Sequence, residues 1–259
     1  MLLLGTLLAA APSLAATEEE ERVANATDVL AQLQQIPEQA VPPALLARAY
    51  GIAVIPNVVK IGFGLGARRG KGVLVVRQEG GTWSNPVFVT LTGGSFGWQI
   101  GAQSTDIILV FKTRKGVDDI ARGKLTLGAD AAIAAGPVGR SAGVATDIEF
   151  EAEVFSYSRS RGLFAGVALE GAGIAIDHKA NAAFYGTQGI TAAQIFAGSG
   201  NMAPAVANDF VQVLSAQTRE LPTLPAMSRD VPVNAAADSS ERSTVRTYGI
   251  EDPDGQQDN

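Results

Sequence analysis

Two stretches of this chain place small residues, mostly glycine, at every second position of what otherwise reads as a strand. From Val58 to Ala67, the residues Val59, Ile61, Phe63, Leu65 and Ala67 alternate with Lys60, Gly62, Gly64 and Gly66. From Gly93 to Ala102, Phe96, Trp98, Ile100 and Ala102 alternate with Gly93, Ser95, Gly97, Gln99 and Gly101. A period of two is the strand period, and a helix would scatter these apolar side chains around its circumference. Glycine weakens a strand, so two such runs need a compensating use. A bare strand face lets a second backbone or a helix approach closely. It also offers a smooth groove to an extended apolar ligand such as an acyl chain. The sequence leaves both uses open. Of the 29 glycines, 26 lie between Gly51 and Gly200, which marks one continuous domain.

Around these runs the pattern predicts further strands at Val73–Arg77, Pro86–Leu91, Ile107–Lys112, Asp147–Tyr157 and Leu163–Glu170. The segment Asp147–Val154 alternates acid and apolar, with Ile148, Phe150, Ala152 and Val154 inward and Asp147, Glu149, Glu151 and Glu153 outward. Helices are expected at both ends. Thr17-Glu-Glu-Glu20 has the form of a capping box, and Val23, Ala26, Leu30, Leu33 and Ile36 follow at helical spacing. A short second helix is expected from Pro42-Pro43 through Ala49, with Gly51 as its C-terminal cap. Helical spacing returns at Thr191–Ala197 and at Pro204–Gln217. The fold class is therefore α+β: a twisted, mostly antiparallel, glycine-rich sheet, open to barrel-like curvature, flanked by N- and C-terminal helices.

Residues 1–16 (MLLLGTLLAAAPSLAA) carry no charge and end in small residues, which predicts a signal peptide, a mature start near Ala16 or Thr17, and export to a periplasm or the extracellular envelope. The run is shorter than the ~20 apolar residues a bilayer span requires. Residues 219–259 are rich in Pro, Ser, Asp, Gln and Asn without periodicity, and read as a disordered tail. The domain proper is expected over 17–218. The net charge of −6 argues against nucleic-acid binding. It is unevenly spread: residues 51–150 hold 11 basic and 7 acidic groups, whereas 17–50 hold 2 and 6. An anionic partner would have to approach the middle.

Three motifs suggest catalysis and fail on context. Gly93-Gly-Ser95-Phe-Gly97 matches a nucleophile elbow, with His178 downstream, but a strand-like run follows where the elbow demands a helix. Gly62-Phe-Gly64-Leu-Gly66-Ala67 is followed by Arg68-Arg-Gly-Lys-Gly72, which cannot open the helix of a dinucleotide site. Gly70-Lys71 lacks the earlier glycine and the Ser or Thr of a phosphate loop. The lone His178 reads as an exposed loop residue. With no cysteine and one histidine, only carboxylates remain for metal, and the acidic row from Asp147 reads as a solvated face. No catalytic residue, metal or cofactor is assigned.

Six segments in order carry a family resemblance: Ala49–Arg77 (AYGIAVIPNVVKIGFGLGARRGKGVLVVR), Trp83–Pro86, Gly94–Gln103 (GSFGWQIGAQ) with Thr105-Asp106, Leu127–Arg140 (LGADAAIAAGPVGR), Tyr157–Gly171 (YSRSRGLFAGVALEG) and Asn181–Gly186 (NAAFYG). Together they resemble the SYLF domain, over a motif core of 45–186. The resemblance implies a non-catalytic module that binds phospholipid or phosphoinositide. Some eukaryotic members also bind actin, whereas bacterial ones are exported stand-alone domains. Two features depart from the pattern: Tyr50 stands where the family places Lys, and the N-terminal helix is acidic. The expected partner is an anionic phospholipid or another amphiphile at a membrane surface, and export would put actin out of reach. The alternative is an envelope scaffold or protein-interaction module without a lipid ligand. The candidate headgroup contacts are Lys60, Arg68, Arg69, Lys71, Lys124, Arg140, Arg159 and Arg161, with Arg68, Arg69 and Lys71 expected in a glycine-rich turn between two strands.

Overall fold

The computed structural model describes residues 17–33, 41–137, 152–160, 163–198 and 203–218. The expected signal peptide, the acidic row before Ala152 and the expected tail lie outside the described residues.

Helix α1 (Glu18–Ala31) starts where its capping box predicts. The Thr17 hydroxyl accepts from the Glu20 amide, and the Glu20 carboxylate accepts from the Thr17 amide. Its stripe of Val23, Ala26, Leu30 and the following Leu33 is fully buried. The short α2 (Pro43–Ala47) opens on proline and ends at Arg48. Gly51 is not its cap but the first residue of β1 (Gly51–Val76). A Cβ there would meet Val117 Cγ2 at 2.9 Å, so the glycine answers to packing rather than to helix termination.

Strands β1 and β2 (Val87–Phe111) form one antiparallel ribbon from Gly51↔Phe111 to Leu74↔Val87. The pieces expected as separate short strands are therefore continuous. A straight strand of this length would run about 85 Å, far beyond a domain of this size, so it has to bend. One bend is a bulge between Ile55 and Val58, where Asn57 takes φ +52° and its amide donates to the Asp106 carboxylate at 3.0 Å. The two limbs of β1 then close on each other. A Cβ on Gly72 would lie 2.2 Å from the Val54 carbonyl oxygen, and one on Gly70 would lie 2.6 Å from Val58 Cγ2. At these two positions the glycines serve close backbone approach.

The remaining strands extend β2 across its other edge. The seven-stranded order is β3-β7-β2-β5-β4, with β1 also on β2 and β6 also on β5. Here β3 is Lys124–Thr126, β4 Ile133–Ala135, β5 Val154–Ser160, β6 Leu163–Gly166 and β7 Gly173–Ile176. Among the described residues, β4–β5 is the one parallel pair. The sheet is curled into a half-barrel, as the contact between the limbs of β1 requires. The segment expected as one strand from Leu163 to Glu170 ends at Gly166, and after a turn with Gly171 at φ +75° the chain re-enters as β7. Three short helices complete the order: α3 (Arg114–Arg122), α4 (His178–Tyr185) and α5 (Ala192–Phe196). His178 is exposed as expected, but it opens α4 rather than sitting in a loop.

The final helix α6 (Ala205–Gln217) packs against α1, and α1 in turn covers β1. Two polar anchors fix the helical layer. Asn181 of α4, fully buried, accepts from the Phe88 amide and donates to the Phe88 and Asp177 carbonyls. Arg77 donates to the carbonyls of Ala49, Leu46 and Gly81 while its guanidinium lies 4.4 Å over the Trp83 ring.

Candidate functional site

Arg68, Arg69, Gly70 and Lys71 are not in a turn. They are the middle of β1, paired in register with Gly93, Thr92, Leu91 and Thr90. The ladder overrides the local turn chemistry that a basic, glycine-containing tetrapeptide suggests. In a strand, successive side chains alternate. Arg69 and Lys71 accordingly are exposed, while Arg68 is half-buried beside Gly70.

The bend of β1 brings this segment against Pro56, Asn57, Val59, Ile61 and Ala67, and the two together line an open groove of about 510 Å³. Val59 is 40% exposed and Ile61 is 62% exposed, so these two members of the first alternating run turn to solvent here. Burial pulls the Arg68 guanidinium below the usual arginine range, and its Nε is buried without a hydrogen-bond partner among the described residues. Lys71 is engaged: its Nζ lies 3.0 Å from Glu18 Oε1 at the start of α1. Lys71 and then Arg22, through their hydrogen bonds, hold the Glu18 carboxyl below the usual carboxylate range.

The other sequence candidates lie apart from this cluster or outside the described residues. Lys60 is in β1, opposite Gln103, and half-exposed. Arg159 pairs with Asp106 at 2.9 Å, both largely buried, and so joins β5 to the bulge of β1. Lys124 lines a different, polar cleft with Lys115, Asp119, Arg122 and Asp130. Arg140 and Arg161 lie outside the described residues. Sequence reasoning had set Val59 and Ile61 on one strand face without placing that face on the surface, and had left Glu18 unconnected to the basic segment.

The elbow-like Gly93–Gly97 lies within β2, and the strand continues to Phe111 without the helix a nucleophile elbow requires. Among the described residues there is no cluster of three or more potential metal ligands, and no helix is long and apolar enough to cross a membrane.

Residues 92–217 match the Ysc84 family, described as "Las17-binding protein actin regulator". The chain belongs to this SYLF family. The match runs from near the start of β2 through α6, so the final helix is part of the family domain. LAS seventeen-binding protein 3 of Saccharomyces cerevisiae is 40% identical over 172 residues, covering 65% of this chain and 37% of that protein. SH3 domain-containing YSC84-like protein 1 of Xenopus laevis is 36% identical over 185 residues, covering 71% of this chain and 55% of that protein. Its Homo sapiens counterpart is 36% identical over 185 residues, covering 71% and 53%. The matched segment of this SYLF chain thus spans roughly two fifths to just over half the length of these relatives. Their names describe binding proteins and proteins that contain SH3 domains, rather than enzymes.

Proposed function

We propose that this SYLF domain is a non-catalytic module that binds anionic phospholipid, or another anionic amphiphile, through the bent limb of β1. The observation that carries the reading is the juxtaposition, in one groove, of exposed Val59 and Ile61 with Arg68, Arg69 and Lys71. Cations alone are too weak. Each is worth ~1 kcal/mol near an anionic surface, and with Lys71 engaged the remaining two give about 2 kcal/mol. That corresponds to a dissociation constant weaker than ~1 mM. Inserting Val59 and Ile61 adds about 1–2 kcal/mol each, which brings the sum to about 4–6 kcal/mol, a dissociation constant between about 1 mM and tens of micromolar. The groove supplies both components at one place.

Co-sedimentation with phosphatidylglycerol vesicles tests this. The pair Arg68→Ala/Arg69→Ala is expected to weaken binding about tenfold or more at low salt. The pair Val59→Asp/Ile61→Asp is expected to abolish it at any salt. Equal binding by wild type and both variants would reject the groove. Action at the cell envelope after export belongs to the same proposal. Mass analysis of the mature N-terminus in an envelope fraction tests it, and retention of Leu2–Leu8 would count against it.

A second reading, a protein-binding scaffold, draws on the names of the relatives, one of which is called a Las17-binding protein. Native mass spectrometry separates the two: co-purifying lipid favours the first reading, and a lipid-free chain that ignores vesicles favours the second.

A further inference from the structure

Of the three cations in the groove, Lys71 is the one with a counter-ion among the described residues. That counter-ion comes from 53 residues away in sequence. Glu18 Oε1 lies 3.0 Å from Lys71 Nζ and 2.9 Å from Arg22 Nη2, so one carboxylate is shared between a groove cation and a helix cation. Arg22 does not depend on it alone. It is 7% exposed, its Nη1 is 3.6 Å from Asp177, and its guanidinium lies 5.3 Å over the Phe88 ring. Nor does α1 need Glu18 as a cap, because the capping box is closed by Thr17 and Glu20. Glu18 itself is 68% exposed.

We propose that Glu18 is a selectivity determinant of the groove: an internal carboxylate that an incoming anion must displace from Lys71. The inference rests on the groove being the anionic-amphiphile site. Displacement leaves Glu18 with Arg22, so the carboxylate is never stranded without a partner, and the ligand gains the freed ammonium. A ligand with little negative charge cannot compete with a carboxylate already in place. A surface dense in phosphate can. Glu18 thereby sets a threshold of negative charge below which the groove uses two cations and above which it uses three.

The test is co-sedimentation of the full chain with phosphatidylcholine vesicles at low and high phosphatidylglycerol fraction. Glu18→Gln, and Glu18→Ala as a second variant, are expected to bind about threefold to fivefold tighter than wild type at the low fraction, with the gap closing at the high fraction. Glu21→Gln, an exposed glutamate of the same helical turn, removes the same charge away from Lys71 and is expected to change binding clearly less. In a Lys71→Ala background the effect of Glu18→Gln should vanish, which is the signature of a direct pair. An equal effect of Glu18→Gln and Glu21→Gln, or an effect that survives in Lys71→Ala, overturns the proposal. If wild type binds through Arg68 and Arg69 while Glu18→Gln changes nothing, the selectivity role falls and the groove reading stands. If no variant binds at either fraction, both fall. If only the Glu18 variants bind, at either fraction, the carboxylate is not displaced by a phosphate-dense surface and the proposed threshold falls.

Discussion

Gly72→Ala is expected to destabilise the domain by about 3–5 kcal/mol, or roughly 10 °C in melting temperature. The added methyl would sit 2.2 Å from the Val54 carbonyl oxygen and 2.7 Å from the Ile55 Cα. Both are backbone atoms within the first limb of β1, and neither can rotate away. Relief would require the limbs to part, which would uncover Ile55, Val58 and Leu74 from the core. Gly94→Ala is the matched control. It lies in the partner strand of the same ribbon with nothing within 4 Å of its Cβ position, and its φ is not positive. That change is expected to be neutral, or to stabilise by up to about 1 kcal/mol through a less flexible unfolded chain. Thermal and urea melts of the two variants check the pair. Equal stability of both would mean that the limbs of β1 do not touch. The same closure shapes the groove, so Gly72→Ala is also expected to weaken vesicle binding where Gly94→Ala does not.

Trp83→Ala is expected to cost about 3–5 kcal/mol, the range for a buried aromatic truncated to alanine. Trp83 is 5% exposed and sits in the loop between β1 and β2. Its ring carries the Arg77 guanidinium on one side, and its Nε1 donates to the Thr218 hydroxyl at 2.9 Å. Thr218, immediately after α6, in turn donates to the Leu214 carbonyl. One side chain therefore joins the ribbon's loop, the end of α2 through Arg77, and the C-terminal end of the last helix. Trp83→Phe keeps most of the ring and loses the Nε1 bond, so it should cost about 1–2 kcal/mol. Urea unfolding of the two variants separates the packing and hydrogen-bond contributions. Near-wild-type stability of Trp83→Ala would show that α6 docks without this anchor.

What could be read from the sequence is what neighbouring residues decide among themselves. The capping box at Thr17–Glu20, the helical stripe from Val23 to Leu33 and the proline-led start of α6 all need only a few turns of chain. The period of two in the glycine runs likewise reports strand without reference to any partner. The SYLF motifs carried the family by their order, and the sheet is mostly antiparallel as the pattern of strands and helices implied. Local chemistry failed where a distant strand outbid it. Arg68–Lys71 looks like a turn until β2 pairs with every residue of it. Helix α3 was missed because it is short and mostly polar, with Gly116 inside it. A Cβ on that glycine would lie 3.2 Å from the Phe111 ring.

The groove itself belongs to the tertiary structure. Alternation tells that Val59 and Ile61 share a face, but it sets them opposite Lys60 and the glycines, which marks the other face as the wet one. Only the fold of β1 back on itself turned that apolar face outward beside Arg68 and Arg69. Which charges meet is likewise a long-range outcome. Glu18 finds Lys71 because α1 is seated on β1, which brings them within 3.0 Å, and Asp106 finds Arg159 at 2.9 Å because β2 and β5 pair the two directly across the sheet. Periodicity and capping act over a few residues and are written in them, whereas closure of a sheet is decided by which backbones can touch, and here that rests on Gly70 and Gly72.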